Sequence, residues 1–179
     1  MKVTISAEGI LLRMERVRQG KEQKEICTGI CSVSTLSKIE TGKQKADPVM
    51  LESLYRELGI TYLSDPEAIC RLQKTVDRFF EEIQYQREMK AWEELKQESE
   101  VIKHSPLAAD WMVIGALMEG TGFSILKECR DYLTGRQLGW YLLALSGELE
   151  EDAVAYAEEA VRILQNSFSQ VELLHILYM

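Results

Sequence analysis

The side chains with the clearest chemical potential lie in one polar segment between Gly29 and Gly42. Its spacing predicts a helix over residues 33–40, with Leu36 and Ile39 on the inner face. Small side chains and one cation then occupy the outer face and leading edge, namely Ser32, Val33, Ser34, Thr35, Ser37 and Lys38. Ser and Thr hydroxyls can donate to bases or phosphates, valine suits a thymine methyl, and lysine suits a phosphate or guanine. The segment therefore has the layout of a helix that reads the major groove of duplex DNA, and the alternative is an ordinary surface helix.

Charge is divided unevenly along the chain, whose formal net charge is −8. Residues 1–62 hold ten basic and eight acidic side chains, whereas residues 63–179 hold eleven and twenty-one. Because an acidic surface repels a polyanion, we expect the first third to make any contact with nucleic acid. Lys43 and Lys45, directly after Gly42, are predicted to clamp DNA phosphates.

Residue types that could support catalysis or metal binding are scattered. The four cysteines, at positions 27, 31, 70 and 129, form no Cys-x-x-Cys pair, and we interpret them as small core residues. His104 and His175 have no catalytic partner in sequence, and the Glu pairs are mostly adjacent positions that do not share a helix face. Since no phosphate-binding loop or nucleophile elbow occurs either, we expect no enzyme activity, no metal site and no cofactor.

Strand-like alternation is nearly absent, so the chain is predicted to be all-α. Ser32, Asp47-Pro48 and Asp65-Pro66 are typical of helix starts. Helices are expected at about residues 9–19, 22–28, 33–40 and 48–58, from 66 through a long apolar stripe, around 92–102, and at 107–118, 123–133, 136–145, 149–164 and 171–179. Helix pairs joined by short turns are typical of helical repeats, so the sequence predicts two domains, at residues 1–62 and 66–179.

The second and third predicted helices carry a motif that consists of QKEIC at residues 23–27 and GICSVSTLSKIETG at residues 29–42. This motif resembles the helix-turn-helix of the Cro/CI-type repressor superfamily. It is most similar to the peptide-sensing branch of Gram-positive bacteria, the Rgg and PlcR type, in which tetratricopeptide-like repeats follow. The family's second-helix glutamine matches Gln23, whose amide would brace a DNA phosphate.

The resemblance implies a λ-repressor-like helix-turn-helix bundle over residues 1–62 and tetratricopeptide-like antiparallel helix pairs over residues 66–179. It further implies a transcriptional regulator that binds a double-stranded operator as a homodimer. It also implies a role in quorum sensing, in which a short signalling peptide binds to the concave face of the repeats. Aromatic and polar side chains suit a peptide there, and the candidates are Gln73, Asp77, Phe80, Trp111, Trp140 and Tyr141. Aromatics at helical spacing equally fit the core between repeats, and both interpretations stay open.

Two further expectations concern the setting and the competing function. The first eight residues lack the basic start and the apolar core of a secretory signal. The longest apolar stretch, residues 111–118, is too short for a membrane span. We therefore expect a cytoplasmic protein without a membrane partner. The alternative function is a protein-interaction module, a repeat scaffold or antitoxin-like partner that binds little DNA, because the first 62 residues are only mildly basic. The apolar end at residues 171–179 is interpreted either as the end of a truncated gene product or as a dimer surface.

Overall fold

The computed structural model describes residues 6–63, 65–148 and 152–165, and this part of the chain is helical, without strands. Its α-helices are α1 (Ala7–Arg18), α2 (Gln23–Cys27), α3 (Val33–Glu40), α4 (Pro48–Glu57), α5 (Pro66–Gln84), α6 (Lys90–Gln97), α7 (Ser99–Ile102), α8 (Ala108–Glu119), α9 (Phe123–Cys129), α10 (Gly135–Glu148) and α11 (Ala153–Leu164). A short 3-10 helix, Arg130–Tyr132, follows α9. None of these described helices is long and apolar enough to cross a bilayer. The all-α prediction is confirmed over the described residues.

Capping side chains explain where the first helices begin. The hydroxyl of Ser6 accepts a hydrogen bond from the third amide of α1, and Ser32 accepts one from the amide of Thr35 at 3.0 Å. Asp47 and Asp65 accept amide hydrogen bonds at the starts of α4 and α5, each followed by a proline at the first helical position. These caps satisfy amides that have no partner inside the helix. Those at Ser32, Asp47 and Asp65 confirm the predicted starts, whereas α1 begins at Ala7, before the expected residue 9.

Helices α1 to α4 enclose one apolar core. Its innermost side chains come from all four helices and have at most 1% exposure, namely Leu11, Leu12, Ile26, Leu36, Ile39 and Leu54. Burying each such side chain contributes roughly 1.5–3 kcal/mol relative to leaving it in water. Because Leu36 and Ile39 are both turned into this core, the opposite side of α3 faces solvent.

Later helices share a second core. It contains large aromatic side chains of α5, α6 and α10, including Phe79, Trp92 and Trp140. Helices α10 and α11 approach each other so closely at Gly139 that an added Cβ would lie 2.5 Å from the side chain of Leu164. A side chain larger than glycine at this crossing would force Leu164 to shift.

Helix α1 connects the two cores. Its second face forms a small apolar cluster with α8 and α9, made by Ile10, Met14, Ala109 and Cys129. The guanidinium of Arg13 donates two hydrogen bonds to the carbonyl of Glu128, at 3.0 and 3.2 Å, and lies 4.8 Å from the ring centroid of Tyr132. The N-terminal bundle is thus attached to the later helices along a whole face of α1.

Helix boundaries differ from the prediction in the later part of the chain. The helix expected around residues 92–102 is two helices, which meet at Glu98, where φ is −101° and ψ is 12°. The stretch expected to be helical over 123–133 leaves α geometry after Cys129 and finishes as a 3-10 turn. In both places the apolar spacing continues across the break, so periodicity alone does not reveal it. The helix predicted at 171–179 lies outside the described residues.

The four cysteines do not share one environment. Cys27 and Cys129 are buried and Cys31 is half-buried, but Cys70 is exposed, and all four are free thiols. Interpreting every cysteine as a core residue is therefore wrong for Cys70. It lies two positions before the buried Leu72, which places it on the opposite side of α5.

Candidate nucleic-acid interface

Helices α2 and α3 are joined by a tight corner. The chain leaves α2 through Gly29, whose φ of +77° is a left-handed conformation that L side chains rarely adopt. The amide of Cys31 returns a hydrogen bond of 3.0 Å to the carbonyl of Cys27, and Ser32 then caps α3. The corner therefore holds α3 at a fixed angle to α2, with the leading edge of α3 free at the surface.

The outer face of α3 carries the side chains that the sequence assigns to DNA contact. Val33 is 43% exposed, Ser34 and Lys38 are exposed, and Ser37 is half-buried. The exposed hydroxyl of Ser32 lies 2.9 Å from that of Thr35, so these two side chains are already joined to each other. The structure thus places all six predicted contacts on one accessible face and edge, and their role in binding DNA stays a prediction.

The lysines after α3 are held by a compact turn. The amide of Lys43 donates to the carbonyl of Lys38 at 2.8 Å, and Gly42, at φ +69°, allows the chain to reverse there. Lys38, Lys43 and Lys45 are all exposed, and no ion pair within the described residues neutralises them. Three ammonium groups therefore lie within a stretch of eight residues next to the outer face of α3, and their contact with DNA phosphates stays a prediction.

The last residue of α3, Glu40, is a fully buried carboxylate with cationic and amide donors around it. Arg16 of α1 donates to both of its oxygens, at 2.7 and 2.9 Å, and Gln23 of α2 donates to one of them at 2.9 Å. The hydrogen bond to Glu40 is the main cause that raises the pKa of Arg16. Glu40 thereby joins α1, α2 and α3 at a single point, in agreement with its interpretation as a structural anchor.

The hydrogen bond to Glu40 limits the number of hydrogen bonds that Gln23 can donate to DNA. One hydrogen of its amide group is used by Glu40, so a phosphate would be contacted only through the remaining amide hydrogen. Sequence reasoning missed the partner, Arg16, although a usable signal existed, because a buried carboxylate requires a cation and α1 contains three arginines.

Three of the six residues proposed for a peptide site are half-buried, and the other three are buried. On α5, Gln73 donates to Asp77 at 2.9 Å, and Asp77 accepts from Arg136 at 2.7 Å. The guanidinium of Arg136 lies 5.0 Å from the ring centroid of Phe80, and that ring stacks on Trp140 at 5.5 Å. Four of the candidates are therefore connected in one chain of contacts, through an arginine that the sequence did not single out.

Most of the aromatic candidates are core residues. Phe80, Trp140 and Tyr141 are 3%, 0% and 2% exposed, while Trp111 is half-buried and stacks on Trp92 at 5.6 Å. A peptide could touch the three buried rings only after the helices moved apart. The peptide site stays a prediction, and the buried rings favour the alternative of a core between repeats.

Buried charge accompanies these rings. Asp110 of α8 is 5% exposed and accepts from Gln137 at 2.8 Å and from Arg136 at 3.2 Å. Desolvation raises the pKa of Asp110, while the nearby guanidinium opposes that shift. These bonds explain how a carboxylate is tolerated there.

Among the described residues no group of three or more His, Cys, Asp or Glu side chains could hold a metal ion.

Comparison with known proteins identifies only the first part of the chain. The family model described as "Helix-turn-helix" matches residues 12–63, which span α1 to α4. No curated protein and no solved structure matches the chain. The match agrees with the bundle, the tight corner and the solvent-facing α3 described above. Residues 12–63 therefore match a helix-turn-helix family, and this match supports the helix-turn-helix class of regulators for the first part of the chain.

Proposed function

We propose that the protein is a cytoplasmic, sequence-specific transcriptional regulator that binds duplex operator DNA through α3. The observation that carries the proposal is the outer face of α3, with small donors at its N-terminal end and Lys38 beside Lys43 and Lys45 at its other end. This arrangement suits base edges in the major groove and phosphates on either side. The helix-turn-helix family match supports the same class of function.

Selection from a random duplex library tests the proposal. The intact protein is expected to enrich a defined motif, and Val33→Ala or Ser34→Ala should change the preferred bases. Lys38→Ala and Lys43→Ala should weaken binding to every sequence alike, because phosphates carry no sequence information. If the protein retains no duplex at low salt, the interaction-module alternative replaces the regulator.

Dimerisation belongs to the same proposal. One helix-turn-helix domain covers a single half-site, so two copies on a pseudo-palindromic operator would reach useful affinity. We assign dimerisation to the helical region at residues 66–179, with the apolar end at 171–179 as part of the contact. Light scattering of the full chain should give a dimer, and deletion of 171–179 a monomer or an insoluble chain. A soluble truncated dimer would place the interface elsewhere.

Control by a peptide is the last element of the proposal. Tetratricopeptide-like stacking of the helix pairs would create one curved surface, on which half-buried Gln73, Asp77 and Trp111 are accessible to a ligand. Calorimetry with short secreted peptides from the same genome tests this, and a bound peptide must alter DNA affinity reciprocally. If no peptide binds, the helical region is a dimerisation platform and the regulator is constitutive.

A further inference from the structure

A groove of about 660 Å³ lies where the last turns of α8 and α10 meet the end of α5. Its volume is in the range of ~300–1,000 Å³ that is typical of sites for drug-sized ligands. None of the six peptide-site candidates lines it, and neither does any residue of 12–63. We call it the acidic groove, and it is lined by Ile83 of α5, by residues 116–120, and by residues 143, 144 and 146–148.

The floor of the acidic groove is aliphatic. Ile83, Leu117, Met118 and Leu143 are half-buried, so each packs against the second core and keeps part of its surface accessible. No aromatic ring lies among the described lining residues, so no ring stacking has to be broken before a ligand enters. Because covering accessible aliphatic surface is favourable in water, the floor suits an apolar body.

The rim of the groove carries two carboxylates without a cation. Glu119 and Glu148 are the exposed last residues of α8 and α10, and neither has an ion pair or hydrogen bond within the described residues. They approach the same point, since a Cβ added at Gly120 would lie 3.1 Å from Oε1 of Glu148. The described lining, with two acids and no Lys or Arg, therefore has a formal charge of −2.

The backbone adds to this negative charge. The C-terminal end of an α-helix has a partial charge of about −0.5, which a basic side chain in the last turn can stabilise. Neither α8 nor α10 has a basic side chain in its last turn. The carbonyls of residues 116–119 accept no hydrogen bond in the part of the chain that the structure describes. Carboxylates are unfavourable at such ends, and a cationic donor from outside the chain would relieve them.

We propose that the acidic groove docks a basic segment of a partner protein, with its aliphatic side chains on the floor and an arginine between Glu119 and Glu148. Charge complementarity selects this occupant, because carboxylates and free carbonyls are acceptors that only a donor satisfies. A guanidinium has five N–H donors and an apolar stem, so it serves several acceptors while its stem covers the floor. The same negative charge repels a nucleic acid, which makes a protein segment the matching polymer.

Calorimetry on the full-length protein without DNA tests the docking, so its outcome is independent of the proposed regulator function. The probe is a capped peptide of sequence LRLLRL, and the control peptide has citrulline, a neutral isostere, at both arginine positions. We expect LRLLRL to bind with a Kd of about 100 µM or tighter and the citrulline peptide to bind at least about tenfold more weakly. Spermine, a polycation without apolar side chains, should also bind at least about tenfold more weakly. No binding of LRLLRL, or equal affinity for the citrulline peptide or for spermine, would overturn the proposal.

Matched glutamate variants locate the site. Glu148 and Glu57 are each the exposed last residue of a helix, α10 and α4, but only Glu148 lines the acidic groove. Glu148→Gln is expected to weaken LRLLRL about tenfold and to leave the citrulline peptide unchanged, whereas Glu57→Gln should change neither. Met118→Ala should weaken both peptides alike, because its contact with them is apolar. Equal effects of the two glutamate variants would show that the peptide binds elsewhere on this acidic chain, and would refute docking at the groove.

Discussion

Replacement of Glu40 by glutamine should destabilise the protein more than any other single loss of a carboxylate charge in the bundle. The side chains of Glu40 and Arg16 are 0% and 13% exposed, and the guanidinium donates to both carboxylate oxygens. Removing one member of a buried pair costs roughly 3–5 kcal/mol, because the other charge stays desolvated. Glutamine keeps the shape and one acceptor, so we expect the lower end, about 3 kcal/mol.

Glu15→Gln is the matched control. Glu15 also accepts from an arginine through both oxygens. The side chain of that arginine, Arg18, is 51% exposed and can be solvated when the charge is lost. We therefore expect a loss of only about 1 kcal/mol. With a urea slope of about 2 kcal/mol/M, the midpoint followed by circular dichroism should fall by about 1.5 M for Glu40→Gln and about 0.5 M for Glu15→Gln.

The double variant Glu40→Gln/Arg16→Met completes the design. Removing both charges eliminates the unpaired guanidinium, so the double variant should recover part of the stability lost by Glu40→Gln alone. The single variant Arg16→Met is measured alongside, so that the losses can be compared. The reasoning is refuted if Glu40→Gln costs no more than Glu15→Gln, or if the double variant loses the sum of the losses of Glu40→Gln and Arg16→Met.

Three further predictions concern packing, thiol exposure and pH. Gly139→Ala should lower the melting temperature by several degrees, because the new Cβ would lie 2.5 Å from Leu164. Gly147→Ala on the same helix is the control, and it should raise the melting temperature slightly, because open space surrounds that glycine. Ellman's reagent should give one fast thiol that Cys70→Ser abolishes; a persisting fast phase would contradict its assignment as the exposed cysteine. Desolvation lowers the pKa of His104 in the folded protein, so the unfolded chain binds more protons as the pH is lowered. The free energy of unfolding should therefore fall when the pH is lowered from about 7 to about 5. The urea midpoint should fall less between these two pH values in the His104→Gln variant than in the wild-type protein.

The local features of the helix-turn-helix could be predicted because each depends on neighbouring residues. Ser32 and Asp47 cap the helices that follow them, and the spacing of Leu36 and Ile39 determines which side of α3 is buried. These features need only the 3.6-residue period and the orphan amides of a helix end. The bounds of α3 are the predicted ones for the same reason.

What could not be predicted depends on contacts between residues far apart in sequence. Arg16 and Glu40 are 24 residues apart, and Arg136 and Asp77 are 59 apart, so no local pattern pairs them. The burial of Trp140 follows from the packing around α10, which periodicity does not specify.

The salt dependence of DNA binding tests the central claim most directly. Fluorescence anisotropy of a selected duplex, titrated with the intact protein between about 50 and 300 mM KCl, should give a steep linear loss of log affinity with log salt, because phosphate contacts release counterions. The variant Lys38→Ala/Lys43→Ala should reduce the slope by about two, while Lys74→Ala, an exposed lysine of α5, should leave it unchanged. A slope near zero, or one that the two lysines of the helix-turn-helix do not change, would contradict the account.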